Sequence, residues 1–532
     1  MIAAGDISYR HYEFYKAGLA LCGLVLLAGS ILQTLGGASF PEHESKSEWG
    51  LDDAYISYRY SENLVRGEGL VFNHGERVEG YSNFLYVLAA APPFWVTDRD
   101  GVYFFSVLLN ILCSLGALGL FSNYLRRRLG ERSALAGSLL FALCLPLWAA
   151  IAGGLETCLV LLITVAIWVR VERLVENPTR RDTLTLAVLV VLSLLARVDG
   201  FIIPGIAILY LFLKRRIRPA IVGALALLAA QGIYELWRLE YYGALLPTTY
   251  YVKVAGTILA RLTHAGDEFG RIAIFEGLWP YVTILLLGMV KPIFDLYRRR
   301  RGFSNAFRFE IFFAPLWIAY WFYIGGDHFW DRFLIILYPM GIFALLCALE
   351  TISTKRWAVY GIVLLAVLQV GTPWRVDPRF IYDFNKYDCW IGTGKFLGEK
   401  YPGKTLAVGA LGKMPFFSGL YAIDMLGLAD PVIAHLPAAS SGFEPGHLKF
   451  DPDYILSRRP DLIALSIFPS RDLAFGLSRE KYERAGYHLE YLVDTRRPPH
   501  AGQHIVEVES LDETTVRSLI VDGFNDAVLV RN

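Results

Sequence analysis

Apolar runs recur along most of this chain, at residues 17–38, 102–125, 133–153, 155–171, 183–196, 201–213, 220–236, 272–290, 311–324, 333–349 and 358–371. A helix rises ~1.5 Å per residue, so about 20 apolar residues cross the ~30 Å hydrocarbon core of a bilayer. The series therefore predicts an α-helical polytopic membrane protein with about eleven transmembrane helices, several with ends a few residues out. Charge follows the same division. Only 19% of residues are charged, against about 25% in soluble proteins. The charges are sparse from residue 14 to 373 and dense from Trp374 onward. A membrane region (1–373) is expected to precede a soluble tail (374–532). Strand-like runs at 405–408, 462–466 and 504–508, set between helical stretches, predict that the tail is a C-terminal α/β domain.

Sidedness follows from the basic clusters Arg126–Arg128, Arg170/Arg173, Arg180/Arg181, Lys214–Arg216, Arg298–Arg301 and Lys355/Arg356. One further run, 84–96, contains Pro92-Pro93 and is short. If it is interfacial or re-entrant, every basic cluster falls on the side of the N-terminus; if it spans, they all move to the other side. The positive-inside rule selects the first arrangement. This gives a multi-pass protein of the bacterial inner (plasma) membrane with a cytoplasmic N-terminus. The first outer loop (39–101), the loop 238–270 and the tail are then extracytoplasmic. Residues 17–38 read as an uncleaved first helix, because no small-residue cleavage site precedes a mature start.

Some function classes are excluded early. A net charge of +1 without a basic stripe argues against nucleic acid as a partner. Cys389 is the tail's only cysteine, and no CxxC pair exists, so no zinc ribbon is present.

Chemistry-bearing residues gather in the outer segments. Asp52-Asp53 open an amphipathic stretch that Gly67 would end, and Arg59, Glu62, Arg77 and Glu79 follow. The ordinary structural account makes one aspartate an N-cap and sets the other on the helix dipole. The alternative makes a carboxylate at the membrane–water boundary a base, or a ligand for a cation facing a phosphate. Glu156 follows Gly153-Gly154, and Arg197-Val-Asp199-Gly200 forms a tight turn between spans. Charges there must pair with each other or line a wet cavity. Tyr250, Tyr251 and Lys253 fit a sugar phosphate or an interfacial anchor. Asp327, His328 and Arg332 fit a metal, a sugar or a phosphate.

In this order and spacing the motifs resemble the GT-C membrane glycosyltransferases that use polyprenyl-phosphate sugars, in particular the terminal arabinofuranosyltransferase family of actinobacterial cell-wall synthesis. The resemblance is carried by Asp52-Asp53-Ala-Tyr55-Ile-Ser-x-Arg59-Tyr60, by Gly67 to Tyr81, and by Gly154-Leu-Glu156-Thr157. It continues in Leu246-Pro-x-Thr249-Tyr250-Tyr251-x-Lys253, Gly325-Gly326-Asp327, Ile423-Asp424-Met-Leu-Gly427-Leu-x-Asp430 and Pro445-Gly446-His447. The family pattern carries proline where this chain has Val198 and asparagine where it has Thr248. Neither change removes a charged group, so they bear on sugar identity rather than reaction type.

The resemblance implies a donor such as decaprenyl-phosphoryl-arabinofuranose, a glycan or protein acceptor, and Asp53 at the reaction centre with Asp52 second. Arg59, Lys253 and Arg332 are the candidate cations for the leaving phosphate. A divalent cation is an option that no ligand cluster in the sequence specifies. The anomeric outcome, inverting or retaining, stays open. Two other functions fit parts of the pattern. A lipid-linked sugar transporter or flippase would place charges or broken helices near the midplane. A non-catalytic polysaccharide-assembly scaffold would tolerate loss of Asp53. Asp424, Asp430 and His447 in the tail favour structural roles, within a tail expected to bind or position the acceptor.

Overall fold

The computed structural model describes residues 2–36, 49–272, 308–327, 329, 332–349, 361, 364–368, 370–371, 388–439, 442–495 and 504–532. His328, the expected span at 272–290 and most of that at 358–371 lie outside the described residues.

Helix α1 (Ile2–Gly36) leads to α2 (Asp52–Val65), α3 (Phe84–Ala89) and a 3-10 turn at Pro92–Trp95. There follow α4 (Gly101–Leu129), α5 (Glu131–Ala142), α6 (Leu145–Gly153), α7 (Thr157–Glu176), α8 (Arg180–Ala196), α9 (Ile202–Leu213) and α10 (Ile217–Tyr242). Among the described residues, α11 (Thr248–Lys253), α12 (Ile258–Gly270), α13 (Phe309–Ile324) and α14 (Tyr338–Leu349) follow. Among the described residues, three helices are each long and apolar enough to cross a bilayer: α1 from Tyr12, α4 and α10. Helices α5 and α6 meet that test only as a pair, bent by 51°. The expected run 133–153 is therefore broken, and Pro146 in the first turn of α6 explains why the helix restarts there. Helices α9 and α13 are shorter apolar helices, at 12 and 16 residues. The run 84–96 yields only the six residues of α3 and the Pro92–Trp95 turn, about 9 Å of helix at ~1.5 Å per residue and too short to cross.

The bundle packs through aromatic side chains. Tyr124 of α4 and Trp168 of α7 have ring centroids 4.8 Å apart, and Phe343 of α14 lies 5.1 Å from Tyr124. All three are buried.

The tail builds a six-stranded sheet from β1 (Thr405–Val408), β2 (Tyr421–Asp424), β3 (Leu462–Ser466), β4 (Tyr487–Val493), β5 (Ile505–Glu507) and β6 (Asp526–Arg531). The order is β2-β1-β3-β6-β4-β5. β1 is parallel to β2 and β3, and the remaining pairs are antiparallel. The pleat sends alternate residues to opposite faces. Ala407, Ile463, Leu465 and Leu529 enter one core; Leu406, Val408, Leu462 and Ala464 enter another. That second core is shared with Ile56, Tyr60, Leu70, Phe72 and Tyr81 of the segment before α4. This segment and the tail are thus two halves of one apolar interior.

Hydrogen bonds reinforce the join. The Asn73 amide both donates to Ala422 O (2.7 Å) and accepts from Ala422 N (3.0 Å), completing the edge of β2 as a neighbouring strand would. Arg59, 8% exposed, donates to Phe72 O (2.8 Å), Pro415 O (2.7 Å) and Leu420 O (2.7 Å).

Candidate functional site

Several elements meet around a cavity of about 500 Å³. The first turn of α2 contributes Asp53, and the C-terminal end of α11 contributes Lys253. The residue before α7 is Glu156, the α8–α9 turn brings Arg197 and Asp199, and the segment after α13 brings Asp327 and Arg332. The tail adds Leu428 and Pro445 to the wall.

Local backbone explains how these groups reach the cavity. Gly154 has φ +74°, and a Cβ there would lie 2.6 Å from the Tyr58 hydroxyl. The Tyr58 and Tyr86 hydroxyls both donate to Gly154 O at 2.7 Å, which fixes the turn that presents Glu156. The α8–α9 turn is pinned by Val198 N donating to Ser82 O at 2.7 Å. Proline, the residue of the family pattern, could not make that bond. Thr248 Oγ1 lies 2.8 Å from Glu79 O and 2.5 Å from Leu428 O and shares its one proton between them, tying α11 to the segment before α4 and to the tail.

The charged side chains form three groups of contacts. Arg197 makes a two-point bond to Asp199 (2.8 and 3.2 Å) and donates to Glu156 Oε1 at 2.6 Å. Tyr320 donates to Asp199 at 2.6 Å, Asn83 donates to Glu156 Oε2 at 2.8 Å, and Ser57 donates to Asn83 at 3.0 Å. Arg332 grips Asp327 with two bonds of 2.8 and 2.9 Å. The Phe333 ring lies under both guanidiniums, 4.2 Å from Arg197 and 5.2 Å from Arg332. Lys253 Nζ sits 3.1 Å from Asp53 Oδ2, and this pair is the most open, with side chains 40% and 25% exposed. The lining thus carries four carboxylates and three cations. In low-polarity surroundings such groups are stable only when paired, and an entering anion has to take a cation from a carboxylate.

Of the residues singled out in the sequence, Asp53, Glu156, Arg197, Asp199, Tyr250, Lys253, Asp327 and Arg332 line this cavity. Four others are placed elsewhere. Asp52 turns to the tail and accepts from Gly412 N (2.9 Å) and Lys413 N (2.7 Å), at the start of the helix Lys413–Ser418. It caps that helix rather than α2, whose own cap position is Leu51; loss of water pushes its carboxyl up to about 6. Arg59 is consumed by backbone carbonyls. Glu79 is buried against Arg238 at 2.7 Å and accepts from Tyr234 at 3.1 Å. Tyr251 packs on His435, ring centroids 4.4 Å apart. Ser57, Asn83 and Tyr320 also line this cavity, and sequence reasoning passed over them. Asn83 closes the first outer-loop motif, which is a usable signal; Tyr320 sits in an apolar helix without one. Among the described residues no three His, Cys, Asp or Glu side chains are grouped to hold a metal, so the structure assigns no site to a divalent cation.

The architecture has known counterparts. ArnT from Cupriavidus metallidurans, in a structure bound to undecaprenyl phosphate, superposes with a TM-score of 0.57 at 13% identity, covering 97% of this chain and 98% of that one. The chain has the GT-C fold. Two further GT-C structures agree. The oligosaccharyltransferase AglB from Archaeoglobus fulgidus, in complex with an inhibitory peptide and a dolichol-phosphate, matches with a TM-score of 0.53 at 12% identity, covering 93% of this chain and 74% of that chain. The mycobacterial arabinofuranosyltransferase AftD matches with a TM-score of 0.53 at 13% identity, over 97% of this chain and 40% of that chain. In sequence, this GT-C chain is 27% identical over 347 residues to the terminal beta-(1->2)-arabinofuranosyltransferase of Mycobacterium tuberculosis. The match spans 56% of this chain and about half (53%) of that relative. Residues 381–508 match a family model described as a domain of unknown function (DUF8728).

Proposed function

We propose that the protein is a membrane glycosyltransferase that transfers a sugar, with arabinofuranose favoured, from a polyprenyl-phosphate donor to an extracytoplasmic glycan or protein acceptor. The observation that carries this reading is the cavity itself: a partly exposed carboxylate, Asp53, 3.1 Å from an ammonium, with Arg197 and Arg332 on the same lining. The 27% identity to an arabinofuranosyltransferase supports the choice of sugar. The donor phosphate draws Lys253 from Asp53. The acceptor hydroxyl gives its proton to Asp53 as its oxygen bonds to the anomeric carbon. The carbon–oxygen bond to phosphate breaks, and its electron pair leaves with the phosphate, whose charge meets Lys253 and Arg332. Should configuration be retained, the same carboxylate faces the anomeric carbon as nucleophile. Asp52 is assigned to scaffolding, because its oxygens are held by the tail.

The reading also takes residues 1–373 as the catalytic membrane region and 374–532 as an extracytoplasmic α/β domain. The N-terminus is cytoplasmic, in a bacterial inner membrane, as the basic clusters support. The test is transfer from radiolabelled polyprenyl-phosphoryl-arabinofuranose to a short arabinan by purified protein, with wild type beside Asp53→Asn. Removal of a general base predicts a loss of about 10²- to 10⁴-fold in a variant that remains folded. Equal rates in both proteins would overturn the assignment of Asp53, and no transfer by wild type would overturn the substrate class.

A further inference from the structure

A second cleft, of about 400 Å³, opens between the outer loop and the tail and shares no lining residue with the cavity. Its walls include Glu62 and Arg66 from α2, Phe94 from the Pro92–Trp95 turn, Asp98 and Arg99, and Lys395 and Phe417 from the tail. Asp53 and Glu62 are nine positions apart on α2, so they face nearly opposite sides of the helix at 100° per residue and lie about 13 Å apart along its axis.

The bonding inside this cleft is incomplete in a specific way. Arg99 uses only Nε, donating to both Glu62 oxygens at 2.8 and 3.1 Å. No bond engages its two terminal nitrogens among the described residues. The guanidinium lies over Phe416, its central carbon 5.4 Å from the ring centroid. It also packs on Gly419, where a Cβ would lie 2.8 Å from NH1. The planar donor fork thus rests against the protein with no acceptor for its terminal nitrogens among the described residues. Arg66 reaches Glu62 at 2.6 Å with one nitrogen and is otherwise exposed, as is the Asp98 carboxylate. Phe94 and Phe417 are half-buried and line the same space.

Charge decides what this chemistry recognises. The lining has three cations (Arg66, Arg99, Lys395) and three carboxylates (Glu62, Asp98, Asp100). A balanced cleft does not concentrate an anion such as a phosphate headgroup. Rigid donors, carboxylate acceptors and aromatic faces instead suit a neutral polyhydroxylated chain, whose hydroxyls bridge the charged groups and whose C–H faces lie on the electron-rich rings. We infer that this cleft is a second carbohydrate-binding site, holding a neutral stretch of the glycan acceptor away from the reacting end. The inference rests on the glycosyltransferase reading for its purpose but not for its chemistry.

The experiment measures binding of linear arabinohexaose, and separately of phosphatidylglycerol-containing vesicles, to the full-length protein in detergent or nanodiscs. Arg99→Lys keeps a charge for Glu62 and removes the planar fork. The double variant Asp98→Ala/Arg66→Ala removes only exposed groups and leaves Arg99 on Glu62. Asp53→Asn serves as the control that spares the cleft. Each cleft variant is expected to weaken arabinohexaose binding about tenfold, the effect of losing one or two net hydrogen bonds. In transfer assays the cleft variants should raise KM for long acceptors with little change in kcat, while Asp53→Asn binds normally and does not transfer. Unchanged affinity in both cleft variants overturns the inference, and so does vesicle binding that depends on these residues in place of sugar binding. Cleft-dependent sugar binding by a protein that transfers nothing would keep this site and overturn the activity, so the two failures are separable.

Discussion

Asp52 and Asp53 are adjacent in the chain and do different work, because one helical step of 100° turns them to different neighbours. Asp53 faces Lys253, and Asp52 caps a helix in the tail. Asp52→Ala should therefore lower stability by about 1 kcal/mol, as loss of a helix cap does, read as a lower Tm with kcat largely kept. Lys253→Ala should reduce kcat/KM by about 10- to 100-fold, the worth of one charge-assisted bond to phosphate. Asp424 offers a pH test. It is 2% exposed and accepts from Leu426 N at 2.9 Å and Ala429 N at 2.6 Å, yet burial pushes its carboxyl up to about 6. Between the ordinary value of 3.8 and about 6 the folded chain holds more protons at this group than the unfolded chain. Its contribution to stability thus falls as pH rises through that window and is level above it. Asp424→Asn should remove this component, so the wild-type-minus-variant difference in Tm narrows as pH rises from 4 to 6.

Elements in this protein are held in place by close backbone contact more than by their own propensities. Helix α2 and the helix Lys413–Ser418 approach so nearly that a Cβ on Gly412 would lie 1.9 Å from Asp52 O. Gly412→Ala must separate them, costing about 1–3 kcal/mol from overpacking. Since the first turn of α2 also carries Asp53, transfer should fall as well; a variant with unchanged Tm and rate would show that the contact is dispensable. The broken helix α5–α6 and the short α3 are set locally instead: both fall in apolar runs, and prolines within them stop the helix from continuing.

Taken whole, the tail is not an appendage to a complete membrane enzyme. Its sheet shares a core with Tyr60, Phe72 and Tyr81 of the outer loop, and Leu428 and Pro445 close the cavity. A chain ending at residue 387 would expose that apolar face. It should elute as aggregate on size exclusion and show no transfer, and adding the separate tail should not restore it. A monodisperse, active truncation would refute the shared-core account.

The sequence by itself determined the membrane class, the shortness of the run at 84–96 and most of the groups that line the cavity. Those signals are local: the length of an apolar run, a proline within it, or a charge beside it keeps its meaning wherever the chain later goes. Strands β1 and β3 were legible as apolar runs. The tail's remaining strands were not all so plain: β2 is four residues long, and β4 carries a register shift between Leu489 and Tyr491. Only the tertiary structure decided which groups share a site. Asp53 meets Lys253 across 200 residues and Asp52 meets Lys413 across 361, and pairing over such distances depends on how helices and sheet pack. Arg59 and Glu79 had the right chemistry and adjacent positions, but buried backbone carbonyls and Arg238 claimed them first, because a buried charge must be satisfied before it can serve a ligand.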